Sequence, residues 1–182
     1  MASNAKKLTL EIPVHISSYK MFIETCCNFV SGFEPLATDF KRLSKFKLVI
    51  MELLTNAMKH SRAVSFIELE IGSREIIIKK IDSGNLFTFT DDATGILHGF
   101  PLTAIAPSTR LCALLGNNYK LDVLVKNENV IEFLEPAAVD YDDVQLMPEN
   151  FGLMVIRQCA SSFHYYFNSH EGKNAFEVIF KF

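Results

Sequence analysis

Glu52, Asn56 and His60 recur at i, i+4 and i+8 in the segment Phe46-Lys-Leu-Val-Ile-Met-Glu-Leu-Leu-Thr-Asn-Ala-Met-Lys-His60, so on a helix they form one polar stripe. Leu48 extends the stripe toward the N-terminus among strongly apolar neighbours. A carboxylate beside an apolar face is costly unless it is solvated, paired or used. One reading is a solvated helix face, the usual fate of a charged stripe. The other is a divalent-ion and phosphate site. Asn56 then offers an amide oxygen to Mg²⁺, a hard cation that takes oxygen ligands and phosphates together. Glu52, one turn earlier, is placed to act as general base. Lys59 and His60, one turn later, approach phosphate oxygens.

The elements that must position these residues can be read from periodicity. Residues 8–14 alternate and contain Pro13, which marks a first strand. Residues 17–31 have helical spacing, with Ser17 or Ser18 as cap and with Gly32 and Pro35 as breakers. Residues 37–60 form the longest helix candidate, capped by Thr38 or Asp39. Residues 66–71 and 75–78 read as strands. Asp82-Ser83-Gly84-Asn85 is turn chemistry, and 86–90 alternates again, so 65–91 reads as a hairpin with a bulge near Gly72 and its turn at 82–85.

Residues 103–116 suggest a short helix starting near Pro107, with Gly116 as C-cap. Residues 120–125 and 130–134 flank a second hairpin turn at 126–129. An acidic loop covers 135–149, a last helix about 152–161, and two strands, 163–167 and 175–182, close the chain. This order predicts one α/β (α+β) two-layer sandwich domain over 1–182, a mixed, largely antiparallel sheet with helices on one face.

With these elements in place, Glu52-Leu-Leu-Thr-Asn56-Ala-Met-Lys-His60 resembles the N-box of the GHKL superfamily, which includes gyrase, the histidine kinases and MutL. Residues 8–71 are similar to its anti-sigma-factor serine kinase branch. The resemblance implies ATP and Mg²⁺ as ligands, with Asn56 on the metal and Glu52 activating the attacking group. It also implies an adenine-contacting acid at a strand end, in the pattern Asp-x-Gly-x-Gly. Three stretches compete for that role. Phe87-Thr-Phe-Thr-Asp91-Asp-Ala93-Thr-Gly95-Ile96 is best in register, with Phe87 and Phe89 inward and Ala93 in place of the first glycine. Asp82-Ser-Gly84 has the more usual separation from Asn56, but Lys80 falls where an inward apolar residue belongs. Ile131-Glu-Phe-Leu-Glu135-Pro-Ala137 has Glu for Asp and no glycine. Asp91 with Gly95 is the preferred pair.

Asn150-Phe-Gly152-Leu-Met-Val-Ile-Arg-Gln resembles the family's Gly-x-Gly-Leu-x-x-Ile-Arg segment, in which a helix N-terminus faces phosphate. Asn150 replaces the first glycine, and Gly152 is the expected phosphate contact. The resemblance covers roughly 8–100 and 148–182, and it leaves 101–147 as an enlarged lid or insert. It implies a regulator that moves the γ-phosphate of ATP to a serine or threonine of a partner protein, of the sigma-factor or anti-sigma-antagonist type. A homodimer is compatible with the branch. A degenerate GHKL domain used only for protein binding is the alternative, motivated by Ala93, Asn150 and the long middle segment. A plain ATPase switch is a third reading.

Bulk properties exclude other classes. The chain has 182 residues, 21% of them charged, and a net charge of −3. Residues 1–91 hold 12 basic against 10 acidic side chains, and residues 92–182 hold 6 against 11. Neither half carries the basic surplus that a nucleic acid requires. Cys26, Cys27, Cys112 and Cys159 show no zinc spacing and read as reduced thiols of a cytoplasmic protein. No apolar run reaches membrane-span length, and the first residues lack a signal-peptide core. Gly172-Lys173 is not a phosphate-binding loop, and His15, His98, His164 and His170 have no i, i+4 partners for a metal.

Overall fold

The computed structural model describes residues 6–116, 119–138 and 151–182. Strand β1 (Lys6–Glu11) leads through a 3-10 turn at Ile16–Ser18 into helix α1 (Tyr19–Val30), a short α2 (Glu34–Ala37) and the long α3 (Phe40–His60). The Asp39 carboxylate accepts the Arg42 N–H at 3.1 Å, which fixes the start of α3. Its buried residues Phe46, Val49, Ile50, Leu53, Leu54 and Ala57 share one face, as the 3.6-residue period dictates.

After α3 come β2 (Ser65–Ile71), β3 (Glu75–Asp82), β4 (Thr88–Asp91), β5 (Ile96–Gly99), β6 (Arg110–Gly116), β7 (Tyr119–Asn127), β8 (Val130–Phe133) and β9 (Ala137–Ala138). Helix α4 (Phe151–Cys159) and strands β10 (Ser162–Asn168) and β11 (Lys173–Lys181) complete the chain. The main sheet runs β1-β2-β3-β11-β10-β8-β7-β6, with β9 added to β7, and β4 with β5 form a separate ribbon. Among the described residues every strand pairing is antiparallel. The chain is therefore α+β, a large antiparallel sheet with few helices.

Strict alternation puts one residue set of each strand into the core. On β3 these are Ile76, Ile78, Lys80 and Asp82, and on β11 they are Asn174, Phe176, Val178 and Phe180. Phe46 of α3 meets Phe180 at 6.2 Å between ring centroids, so the long helix packs on this inward face. Arg157 of α4 is buried and donates to the carbonyls of Phe133 at 2.8 Å and Ala160 at 3.0 Å, which ties α4 to β8. The core is one contiguous cluster.

Three expectations change. The 82–85 turn does not close a hairpin: β3 is flanked by β2 and β11, and the chain leaves the main sheet after Asp82. Residues 110–116 form strand β6 rather than the end of a helix, because Leu111, Cys112, Leu114 and Leu115 pair along β7 across a bulge between Cys112 and Leu114. The span expected as a lid instead extends the sheet through β6, β7 and β8 in its described part. Residues 139–147 lie outside the described residues.

Candidate functional site

At the C-terminal end of α3 the inward sheet face carries a polar corner instead of core. The register sets Ser65, Asp82 and Asn174 side by side across β2, β3 and β11. All three are buried. The adjacent row is apolar, with Ile67, Phe176, Tyr165, Ile131 and Val125, except for one member, Lys80. A cavity of about 350 Å³ opens over this corner. Its walls are Asn56, Lys59 and His60 of α3, Ser61 and Arg62 just beyond it, and Leu153 of α4. Asn85–Thr88 close one side, and Lys80, Asn174 and Phe176 form the floor.

Asn56 Nδ2 is buried and has no hydrogen-bond partner among the described residues. A buried amide left unpaired in a cavity wall is a group that a ligand can satisfy. Lys59 and His60 are exposed at the rim. They sit at the helix C-terminus, where the macrodipole favours cations.

Gly152 begins α4 directly against Glu52. A methyl group on it would stand 2.5 Å from Glu52 Oε2 and 3.8 Å from Asn56 Oδ1. The two expected motifs, 96 residues apart between Asn56 and Gly152, therefore meet in space. Glu52 sits beside this junction, outside the lining of the cavity.

Of the three competing acids, Asp82 is the one at the corner. Its Oδ1 accepts the Gly84 N–H at 2.8 Å and the Asn174 amide at 3.0 Å, and its Oδ2 accepts the Lys80 ammonium. Gly84 is needed for close approach: an added Cβ would lie 3.2 Å from Ser61 Oγ and 3.3 Å from the Arg62 nitrogen. The sequence reads Asp82-Ser83-Gly84 as turn chemistry and as one candidate for the adenine acid; the fold sets its Gly84 against Ser61 and Arg62 just beyond α3.

Asp91 and Gly95, the preferred adenine contacts, are not among the residues that line this cavity. They form the tip of the β4–β5 ribbon. The Asp91 carboxylate is consumed there by Thr94 Oγ1 at 2.6 Å and the Cys112 N–H at 3.0 Å. The Thr94 hydroxyl first, then the Cys112 amide, hold its pKa below the ordinary carboxylate value. Gly95 has φ +72°, the left-handed conformation of a tight turn. Glu135 is exposed and faces Arg157 at 3.7 Å, also away from the cavity. Asn150 lies outside the described residues.

Lys80, Arg62 and Asn174 belong to the site and were missed by motif reading. The signal was present: β alternation carries Lys80 and Asn174 inward with Asp82. A lysine in an otherwise apolar inward row marks a lined corner.

A larger, shallower concavity of about 660 Å³ lies on the opposite sheet face. Its charges are paired with one another, Lys79 with Glu177 at 3.0 Å and Lys173 with Glu171 at 2.9 Å. Among the described residues it offers no buried unpaired group comparable to Asn56. Among the described residues no cluster of three or more His, Cys, Asp or Glu is arranged to hold a metal ion. Among those residues, no helix is long and apolar enough to cross a membrane. Compared with protein-family models and with curated proteins, the chain matches none.

Proposed function

We propose that this chain is a GHKL-type regulatory domain of the anti-sigma-factor serine kinase branch, which holds a purine nucleoside triphosphate with Mg²⁺ in the cavity below Asn56 and passes the γ-phosphate to a serine or threonine of a partner protein. ATP is the nucleotide the resemblance implies. The observation that carries the reading is the meeting of Glu52, Asn56 and Gly152, with the cavity opening at Asn56. The resemblance assigns Asn56 to the metal, Glu52 to activation of the attacking group and Gly152 to phosphate.

The residues fit a Mg²⁺–phosphate ligand in kind. Asn56 Oδ1 would hold the ion, its Nδ2, without a partner among the described residues, is a donor for a phosphate oxygen, and Glu52 stands beside them as the base. Mg²⁺ takes few protein ligands and shares its shell with water and phosphate, so one or two such groups suffice. When bound, the ion neutralises phosphate charge. The chain's own part is positioning. Lys59, His60 and Arg62 supply positive charge at the rim. The first turn of α4 points backbone N–H groups from the Gly152 side. Glu52 takes the proton of the attacking hydroxyl. Phosphoryl transfer of this kind is mostly alignment and charge stabilisation.

A second reading, a non-catalytic binding domain, is favoured by one observation: Asp82 is covered by Lys80 and Asn174, and among the described residues no acid lines the cavity. Calorimetric titration of the full chain with Mg²⁺ and ATP or GTP separates the two. Micromolar to millimolar binding that Asn56→Ala weakens at least tenfold, with the melting temperature retained, supports the nucleotide site. No heat and no thermal shift with either triphosphate at millimolar concentration rejects it in favour of the binding domain. Transfer of labelled γ-phosphate to a candidate partner, lost in Glu52→Ala, tests the kinase step. Release of phosphate to water without a partner identifies a plain ATPase.

A further inference from the structure

We propose that Lys80 makes this cavity select a purine bearing an oxygen at C6 over adenine. The proposal rests on the nucleotide reading above and names the substrate class of that same site.

The floor is the starting point. The Lys80 side chain is 5% exposed and the Asp82 side chain 1% exposed. Lys80 and Asn174 line the cavity, and Asp82 does not. Asp82 is held underneath. Its Oδ1 is filled by Gly84 N–H and by the Asn174 amide, and its Oδ2 is capped by the Lys80 ammonium. The ammonium has three N–H donors, and among the described residues it gives one hydrogen bond, to Asp82. Its Nζ also stands 5.9 Å from the centroid of the Phe176 ring, a wall of the cavity.

Lys80 therefore brings to the cavity floor an ammonium with donors beyond its bond to Asp82. Among the described residues, no Asp or Glu lines the cavity. An exocyclic amine at C6 requires an acceptor and meets an ammonium instead, so it loses its water without replacement. A carbonyl oxygen at C6 accepts from the same ammonium in a charge-assisted bond. Leu153, Phe87 and Phe176 supply apolar walls for a flat ring. Lys59 and Arg62 stand at the rim, where phosphates are accommodated. Sites built around one hydrogen-bonding group reject a mismatched partner strongly.

The test is calorimetry on the full chain with the Mg²⁺ complexes of ATP, GTP and ITP. ITP carries the C6 oxygen without the 2-amino group of guanine, so it isolates the contact in question. The expected result is GTP and ITP each binding at least about tenfold more tightly than ATP. Lys80→Met strands the Asp82 carboxylate, so the double variant Lys80→Met with Asp82→Asn is measured beside it and checked by melting temperature. In the folded variant the preference should collapse to within about twofold. Wild type binding ATP as tightly as ITP, or a preference that survives in the double variant, overturns the role of Lys80 and leaves the nucleotide site standing. Failure of all three triphosphates to bind wild type and both variants removes the site itself, and the selectivity with it.

Discussion

Gly152 is the position where the smallest side chain matters most. In a helix, Gly→Ala ordinarily stabilises by up to about 1 kcal/mol. Here the added carbon lands 2.5 Å from Glu52 Oε2, the movable end of a side chain. Gly152→Ala should therefore gain nothing, or lose about 1 kcal/mol, in the wild-type background. In Glu52→Ala it should recover the normal gain. A denaturant-unfolding double-mutant cycle reads the coupling, and additive effects would contradict the close approach. Asp91 is a second residue-scale case, with a structural role. Asp91→Ala leaves the buried Cys112 N–H without its acceptor and should cost about 1–3 kcal/mol while ligand affinity is unchanged. Its lowered folded pKa means that the unfolded chain binds its proton first as pH falls. The contribution of Asp91 is thus complete above the ordinary value of 3.8 and is lost as pH drops through the lower folded value. An acid-unfolding curve for Asp91→Asn should show a shallower loss over that window than wild type.

At the scale of elements, α3 and α4 are held by different means. The start of α3 depends on the Asp39 cap and its 3.1 Å bond to Arg42 N–H, so Asp39→Ala should cost about 1 kcal/mol by thermal or denaturant unfolding. Helix α4 depends on Arg157, which the fold uses as a fastener to β8. Arg157→Met removes the donor from two carbonyls and should destabilise by about 2 kcal/mol. Because α4 carries Gly152 and Leu153, that substitution should also weaken nucleotide binding, whereas Asp39→Ala, at the far end of α3, should leave it intact. Helix and strand periodicity made α1, α3, α4, β2, β7, β8, β10 and β11 legible in the sequence. It failed at 103–116, where a short apolar run flanked by Pro107 and Gly116 has no decisive period and only pairing with β7 settles the conformation.

For the whole molecule, burial sets the chemistry of the thiols. All four cysteines are free, and Cys26 is pushed up to about 12, chiefly by burial and then by Cys27 beside it. Desolvation also raises Cys27, Cys112 and Cys159. A maleimide at neutral pH should label native protein slowly and all four thiols rapidly after unfolding, as counted by mass spectrometry. Fast native labelling of Cys26 would contradict the packing of α1 on α3.

The sequence by itself determined the helix stripe of Glu52, Asn56 and His60, the Gly152 segment and the alternation that makes an antiparallel α+β fold, because those signals are local and periodic. The choice among Asp82, Asp91 and Glu135 was not local. It depended on which strand lies beside β11 and which loop folds back on α3, and register alone brings Asp82 next to Asn174 and under Lys80. The tertiary structure alone sets Asp82 at the cavity corner, since a carboxylate's availability depends on the donors that surround it in space.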